Sequence, residues 1–125
     1  KRAIYIDMNS IRIMEDAIRE ELGELGLSVE AQTNVGALRA YVTEYLKSVE
    51  QIHDEDGLRY LVRYLQPTEK GLPLEIYAFS NKTAWAPFED IQAEIIEHVL
   101  AMLPKFGLHV FQDLGDRGPA IAQPG

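Results

Sequence analysis

Residues 58–80 read LRYLVRYLQPTEKGLPLEIYAFS, and this stretch decides the predicted fold. Tyrosine, leucine and valine dominate 58–66, and 74–80 returns to the same strand-forming composition. Pro67 and Gly71 bound the segment between them, where proline presets φ and glycine tolerates a positive φ. The stretch therefore predicts a β-hairpin.

The first strand of this hairpin carries apolar side chains on both of its faces. Alternation puts its even-numbered residues on one face and its odd-numbered residues, among them Arg59 and Arg63, on the other. Since leucine stands on both faces, we expect both to contact protein, from this chain or from another. The two arginines could bind an anion, but pairing with Glu75 on the adjacent strand is the favoured interpretation.

Two longer helices are predicted, one before the hairpin and one after it. Thr33 and Asn34 are capping residues, and apolar side chains recur at helical spacing from there to Val49. Pro87 suits the first turn of a helix, and a second apolar stripe follows it to Met102. Each helix is amphipathic, so we expect each to bury one side against the sheet.

Shorter elements are predicted towards the two ends of the sequence. Residues 3–8 alternate apolar side chains with others, as a half-buried strand does, and a short amphipathic helix follows from Ile11 to near Gly26. Residues 108–112 predict a final short strand. From Asp113 onwards Gly, Pro and Ala occur without periodicity, which predicts a flexible tail.

The order of these elements predicts a ferredoxin-like α+β sandwich with the order βαββαβ and an extra short helix near its start. Right-handed crossovers would place both main helices on one face of a four-stranded antiparallel sheet. The other face would then have no cover. An uncovered sheet face that carries leucine and tyrosine is an apolar patch, and such patches mark a partner or an oligomer.

Composition excludes several classes of function. The 125 residues hold 12 Lys and Arg against 20 Asp and Glu, a net charge of −8, which disfavours nucleic acid and anionic membrane surfaces as partners. There is no cysteine, so disulfides, zinc–thiolate sites and thiol nucleophiles are excluded. No stretch of the sequence approaches the roughly 18 consecutive apolar residues of a membrane-spanning helix.

Side chains for catalysis are scarce and scattered. His53, His98 and His109 share no motif, and neither a nucleophile elbow nor a phosphate-binding glycine loop is present. Glu94 and His98 stand four residues apart on a predicted helix and could hold a metal, but a solvent-facing pair is the plainer interpretation. The acidic run 53–57 is interpreted as a solvated loop. We therefore expect no catalytic residue, metal or cofactor, and the protein is not expected to be an enzyme.

Several segments resemble one known family in order and spacing. They are TNVGALRAY at 33–41, LVRYLQPT at 61–68, GLPLEIYAFSN at 71–81, then Trp85, the pair IQ at 91–92 and FGL at 106–108. Together they resemble the C-terminal cytoplasmic region of the small-conductance mechanosensitive ion channel (MscS-like) family, in its miniconductance branch. The opening residues KRAIYIDMNS are similar to the strand where the middle β domain of that branch meets its α/β domain.

The resemblance implies a division of the chain and a place in the cell. Residues 1–10 would end the middle β domain and form the first strand, 11–112 would be the C-terminal α/β domain, and 113–125 the flexible tail. The sequence starts at Lys1 directly before a strand pattern, which is typical of a piece of a longer protein. The whole would be a bacterial inner-membrane channel that opens under membrane tension in hypoosmotic shock.

The resemblance also implies the partners of this domain. It would lie on the cytoplasmic side, reach the membrane only through helices upstream of it, and form a homo-oligomeric ring, typically of seven copies, whose cage filters solutes. Aromatic residues of the hairpin and the following segment are the expected subunit interface: Tyr60, Tyr64, Tyr77, Phe79 and Trp85. The alternative is a ferredoxin-like regulatory module that binds a small molecule, which predicts a compact polar pocket. A small hydrolase would need a convergent acid–base pair.

Overall fold

The computed structural model describes residues 2–27, 30–80 and 86–112. Within them the β-strands are β1 (Arg2–Ile6), β2 (Leu58–Tyr64) and β3 (Leu72–Ser80), and the α-helices are α1 (Asp16–Glu24), α2 (Asn34–Ile52) and α3 (Ala86–Met102). Short 3₁₀ turns cover Met8–Ser10, Asp54–Asp56 and Leu103–Phe106. The two predicted main helices and the predicted hairpin are confirmed.

The sheet is antiparallel with the order β1-β3-β2. Val62 of β2 lies opposite Ile76 of β3, and Ile4 of β1 lies opposite Leu74 on the other side of β3. Gly71 ends the hairpin turn at φ +108°, and a Cβ added to it would collide with the backbone carbonyl of Ile6. Because that atom is backbone and cannot move aside cheaply, this position requires glycine.

The predicted four-stranded sheet is wrong, because the described residues form a three-stranded one. Residues 108–112, predicted as the fourth strand, contribute only a single bridge, in which Val110 faces Ile6 at the free side of β1. The N–H of Asp7 donates to the carbonyl of His109 at 2.8 Å, and that of Phe111 donates to the carbonyl of Tyr5 at 2.9 Å.

The overlap with β1 is short for a structural reason. The N–H of Leu108 donates to the carbonyl of Leu103 at 3.0 Å, so the turn that ends α3 occupies the chain up to that residue. At the other end β1 stops at Ile6, because a 3₁₀ turn capped by the side chain of Asp7 follows it. Only about three residues can then lie side by side, too few for a regular strand.

The first helix begins later than predicted. The sequence pattern predicts a helix from Ile11, but α1 starts at Asp16. Before it, Ile13 forms an antiparallel bridge with Thr33, so the chain is extended there. The predicted end near Gly26 agrees with the structure, in which α1 ends at Glu24 and Gly26 adopts φ +76° two residues later.

The core lies between the helices and one face of the sheet. Strand residues at alternate positions meet apolar stripes of α2 and α3, and the core they form includes Ile4, Ile6, Val62, Leu74, Ile76, Leu38, Val42, Leu46, Ile95 and Val99. α2 packs along β2, and α3 contacts β1. The alternate residues of the strands and the apolar stripes of the helices therefore form a single buried layer.

A buried asparagine joins one end of this layer to the loops. Asn34 is fully buried, and its amide donates to the carbonyls of Ser10 and Phe106, each at 3.0 Å. Its side-chain oxygen accepts from the N–H of Arg12 at 2.9 Å. The residue before it, Thr33, caps α2 by accepting from the N–H of Gly36 at 3.1 Å. The capping pair seen in the sequence thus starts α2, and Asn34 also bonds the start of this helix to the segment 10–12 and to Phe106.

Candidate interaction surface

The face of the sheet that points away from the core forms a surface of odd-numbered strand residues, which we call the open face. The register sets them in rows across the strands: Tyr5 beside Pro73, then Ala3, Glu75 and Arg63, then Tyr77 beside Leu61, then Phe79 beside Arg59. Leu61, Tyr77 and Phe79 are therefore contiguous. The rings of Tyr77 and Phe79 are 6.2 Å apart between centroids and tilted by 40°.

Large apolar side chains of the open face are exposed. Phe79 is 52% exposed, Leu61 48% and Tyr77 42%, and Tyr5 is exposed to a similar degree on β1. The helices lie on the other side of the sheet, where the core is. Contiguous exposed aromatic and aliphatic side chains of this kind are typical of a surface that binds another protein.

An ion pair crosses the open face beside the apolar patch. The Nε and Nη2 of Arg63 both lie 2.9 Å from Oε1 of Glu75. Glu75 is only 1% exposed, whereas the Arg63 side chain is about half exposed. A buried carboxylate needs hydrogen-bond donors and a counter-charge, and Arg63 supplies a hydrogen bond from Nε and a charged contact from Nη2. The predicted pairing of Arg63 with Glu75 is confirmed.

The second arginine of β2 behaves differently. The Nη2 of Arg59 lies 3.1 Å from Oδ1 of Asp54, and both side chains of this pair are exposed. Its Nη1 donates to the carbonyl of Leu58 at 2.7 Å. Arg59 therefore engages the segment that precedes β2 rather than Glu75.

The structure divides the predicted interface residues between two sides of the sheet. Tyr77 and Phe79 lie on the open face and are exposed. Tyr60 and Tyr64 lie on the helix side, where the Tyr64 hydroxyl donates to the carbonyl of Val35 at 2.6 Å. Trp85 lies outside the described residues.

Two members of the open face were missed in the sequence. Tyr5 and Leu61 share it with the predicted residues, and strand alternation was the signal that places them there. Counting aromatic residues along the hairpin, without separating odd from even positions, mixes the two faces. Separating them leaves one side for the core and one for a partner.

The tyrosines on the helix side are weaker acids than usual because they are partly buried. Burial, with smaller contributions from the neighbouring Tyr45 and Glu50, raises the pKa of the Tyr60 hydroxyl to about 12. Burial also raises the pKa of Tyr64, against a smaller lowering by the charge of Arg39. The Tyr60 hydroxyl is buried without a hydrogen-bond partner among the described residues, so no hydrogen bond from them favours its ionisation.

An aromatic cluster with a histidine lies where α2 meets α3. The Tyr41 hydroxyl and Nε2 of His98 share a hydrogen bond of 2.5 Å, and the rings of Tyr45 and His98 stack with centroids 4.2 Å apart. Burial raises the pKa values of both tyrosines. One hydrogen bond and the stacked rings therefore make this cluster a packing contact between the two helices.

The metal interpretation of Glu94 and His98 finds no support in the geometry. Nε2 of His98 already bonds to Tyr41. Across the residues that the structure describes, no three carboxylates or histidines come together in a way that could hold a metal ion. Also within that part of the chain, no helix has the length and apolarity needed to cross a membrane.

A polar groove of about 670 Å³ runs beside the end of α2 and the start of β2. It is lined by Glu44, Lys47, Ser48, Glu50, Gln51, Asp54 and Arg59. Its cations are paired, Lys47 with Glu44 at 3.1 Å and Arg59 with Asp54 at 3.1 Å. A groove of this kind is wide, and its cations are already paired, unlike the compact pocket expected of a small-molecule module.

The open face is therefore the surface of this chain that the geometry singles out for a partner. No family model matches the chain, and no solved structure matches it either.

Proposed function

We propose that this chain is the cytoplasmic vestibule domain of a bacterial mechanosensitive channel of the small-conductance family, miniconductance branch, which opens on membrane tension in hypoosmotic shock. In this proposal copies of the domain pack into a ring on the cytoplasmic side of the inner membrane. The ring encloses a cage that filters solutes. The domain itself carries out no chemistry.

The observation that carries the proposal is the exposed apolar patch on the open face. Leu61, Tyr77 and Phe79 form a contiguous group on rigid strands of one sheet. A partner that covers them removes aromatic and aliphatic surface from water, at roughly 25 cal/mol per Å². In a ring of identical chains, each copy can cover the apolar patch of its neighbour.

Segments of the sequence support the family assignment. LVRYLQPT and GLPLEIYAFSN, which resemble the channel branch, build β2, the hairpin turn and β3. TNVGALRAY, the third resembling segment, starts α2. The resemblance therefore concerns the elements that form the core and the open face together.

Mass in solution tests the assembly. We would measure it by light scattering over a concentration series, for this chain and for the same chain preceded by the sequence that its gene encodes upstream. We expect the longer chain to form a closed ring. The double variant Tyr77→Ser/Phe79→Ser should shift both chains towards monomer. A concentration-independent dimer in both chains would contradict the ring and favour the regulatory module.

A matched variant controls for the general loss of apolar surface. Among the described residues, Ile13 and Ile52 are the most exposed large apolar side chains away from the sheet, at 74% and 77%. The double variant Ile13→Ser/Ile52→Ser should leave the mass unchanged. Equal loss of assembly in both double variants would show that the open face has no special part in it.

Channel activity is tested separately in membranes. Patches from cells that produce the full-length gene product should show currents that switch on with suction. Absence of tension-activated current in patches that contain the protein would contradict the channel assignment, whatever the mass measurements give.

A further inference from the structure

Beyond the buried Leu108, the chain leaves the core and runs along β1 as residues 109–112, which we call the edge segment. Among the described residues it forms a single bridge to β1, that of Val110 with Ile6, and Val110 is 38% exposed. Two backbone hydrogen bonds flank this bridge, at 2.8 and 2.9 Å. A segment with so little pairing opens at a lower cost in free energy than the core strands do. A further contact of modest strength can therefore change how often it opens.

The side chains of Asp7 and His109 face each other where the edge segment begins. Nδ1 of His109 lies 3.4 Å from Oδ2 of Asp7. The other carboxylate oxygen, Oδ1, accepts from the N–H of Asn9 at 3.0 Å and caps the 3₁₀ turn that follows β1. One carboxylate thus holds the turn with one oxygen and faces the imidazole with the other.

The backbones of these two residues are joined independently of their side chains. The N–H of Asp7 donates to the carbonyl of His109 at 2.8 Å. The hydroxyl of the buried Ser10 donates to the carbonyl of Asp7 at 2.6 Å and accepts from the N–H of His109 at 3.4 Å. Both side chains are also short. Little conformational freedom is therefore lost when the carboxylate and the imidazole meet.

The charge of this contact depends on pH. A carboxylate is ionised across the neutral range, whereas histidine is the side chain whose charge ordinarily changes between pH 5 and 8. A protonated His109 ring attracts Asp7. A neutral ring can keep a hydrogen bond from Nδ1, so what deprotonation removes is the charge of the pair. The His109 side chain is 66% exposed, so it exchanges protons directly with the solvent.

Other charged or titratable side chains on the surrounding elements do not supply this attraction. Among the described residues, Asp7 is the one carboxylate within ion-pair distance of the His109 ring. The neighbouring elements also carry Tyr5 on β1, Lys105 in the turn before His109, and Arg12, whose Nη1 donates to a backbone carbonyl at 2.7 Å. Lysine and arginine have the same sign of charge as a protonated imidazole. The pH response of the contact therefore depends on Asp7 and His109 themselves.

We propose that Asp7 and His109 form a proton-sensitive latch, which holds the edge segment against β1 more firmly below about pH 6 than above about pH 8. The added stability is present while His109 is protonated and is lost as the pH rises. When the latch weakens, the edge segment opens more often. The outward backbone groups of Tyr5 and Asp7 are then accessible to water or to another strand. The latch depends neither on the apolar patch nor on the proposed channel function.

Amide hydrogen exchange, measured by NMR on the whole chain, tests the latch. The amides of Asp7 and Phe111 report the two backbone bonds that flank the bridge. The amide of Leu65, which donates to the carbonyl of Pro73 in the hairpin, reports changes elsewhere. Each rate is compared with the intrinsic exchange rate at the same pH. Protection of Asp7 and Phe111 relative to Leu65 should be about two- to threefold greater at pH 5.5 than at pH 8, as expected of an exposed ion pair. Equal relative protection at both pH values would overturn the proposal.

Two variants remove the charged pair in different ways. Asp7→Asn keeps the shape of the side chain and an oxygen that can cap the 3₁₀ turn, but it has no charge. His109→Gln removes the titrating ring. In each variant the relative protection of the Phe111 amide should be the same at pH 5.5 and pH 8. A pH response that persists in either variant would overturn the latch, because neither contains the charged pair.

A third variant and a change of salt are the controls. His53→Gln removes an imidazole at the end of α2, beside the start of β2 rather than β1, and should retain the two- to threefold response. Loss of the response in this variant would contradict the latch. In 1 M NaCl the response of the unaltered chain should largely disappear, because the Debye length falls to about 3 Å. A response that salt leaves unchanged would show that the contact is not ionic.

Discussion

The two faces of the sheet are made by alternate residues of the same three strands, yet they have opposite surroundings. On the helix side Ile4, Leu74 and Ile76 are buried in the core. On the open face Leu61, Tyr77 and Phe79 are apolar as well, but about half exposed. Hydrophobicity of the strand residues therefore does not distinguish the two faces.

Charge distinguishes them better. The open face carries Arg59, Arg63 and Glu75 among its apolar residues, whereas the described strand residues that pack into the core on the helix side are aliphatic residues and tyrosines, with Arg2 exposed at the start of β1. A face that must stay in water before a partner arrives needs charge to keep the separate chain dispersed. A face that is covered during folding does not. The comparison teaches that an apolar residue beside charges on a strand is expected to meet another chain.

The largest difference between the faces should appear when one leucine is shortened on each. Leu74→Ala removes a fully buried side chain and leaves a cavity, which should lower the free energy of unfolding by about 2–5 kcal/mol. Leu61→Ala on the open face should cost less than about 1 kcal/mol, because its site is already half exposed. Urea unfolding at neutral pH measures both. Similar losses of unfolding free energy in the two variants would show that Leu61 is already covered in a single copy of the chain.

Arginine removal sharpens the comparison within the open face. Arg63→Met removes the Nε hydrogen bond and the Nη2 contact to the nearly buried Glu75 and should lower the free energy of unfolding by about 1–3 kcal/mol. The control Arg59→Met breaks a pair in which both partners are exposed, and should cost no more than about 0.5 kcal/mol. If Arg59→Met lowers the free energy of unfolding as much as Arg63→Met does, the burial of Glu75 does not explain the strength of the Arg63–Glu75 pair.

Removing one tyrosine hydroxyl from each face should give a smaller difference in stability. Tyr64→Phe removes the bond to the carbonyl of Val35 and should lower the free energy of unfolding by about 1 kcal/mol. Tyr77→Phe removes an exposed hydroxyl on the open face and should change it by less than about 0.5 kcal/mol. Thermal and urea unfolding both report this difference. A larger loss of stability from Tyr77→Phe than from Tyr64→Phe would contradict this expectation, because the hydroxyl that matters would then lie on the open face.

The smallest expected effect is a change of pH dependence on the helix side. The folded pKa of Tyr60 is about 12 and its ordinary value about 10, so its contribution is fully present below pH 10. Between pH 10 and 12 the unfolded chain loses the proton first, and stability falls as pH rises. Tyr60→Phe should make this alkaline fall shallower without lowering stability at pH 7, since the buried hydroxyl has no hydrogen-bond partner among the described residues. Urea unfolding at pH 8 and pH 11 checks it, and an unchanged slope would contradict the role of Tyr60.

Much of the fold follows from local signals in the sequence. Pro67, Gly71 and the flanking strand residues predict the hairpin, and the Thr33 cap with its apolar stripe predicts α2. These signals are short-range and act before any tertiary contact forms. The contact of Arg63 with Glu75 was also within reach, because the hairpin turn fixes which residues of the two strands face each other.

The failures concern contacts between residues far apart in sequence. Residues 108–112 have strand-like composition, but the turn after α3 and the early end of β1 leave room for one bridge only. Ile11 begins a helical pattern, yet the bridge between Ile13 and Thr33 keeps the chain extended until Asp16. The side of the sheet on which Tyr60 and Tyr64 lie depends on where the helices pack. No local pattern contains that information.

The bonds of Asn34 have a consequence for the kinetics of folding. Its side chain joins Ser10 at a separation of 24 residues and Phe106 at a separation of 72. Bringing such distant segments together costs loop entropy that a hairpin closing within one turn does not incur. Refolding should therefore start at the hairpin and end at this asparagine, so that replacing Asn34 by alanine speeds unfolding while the rate of refolding is almost unaltered.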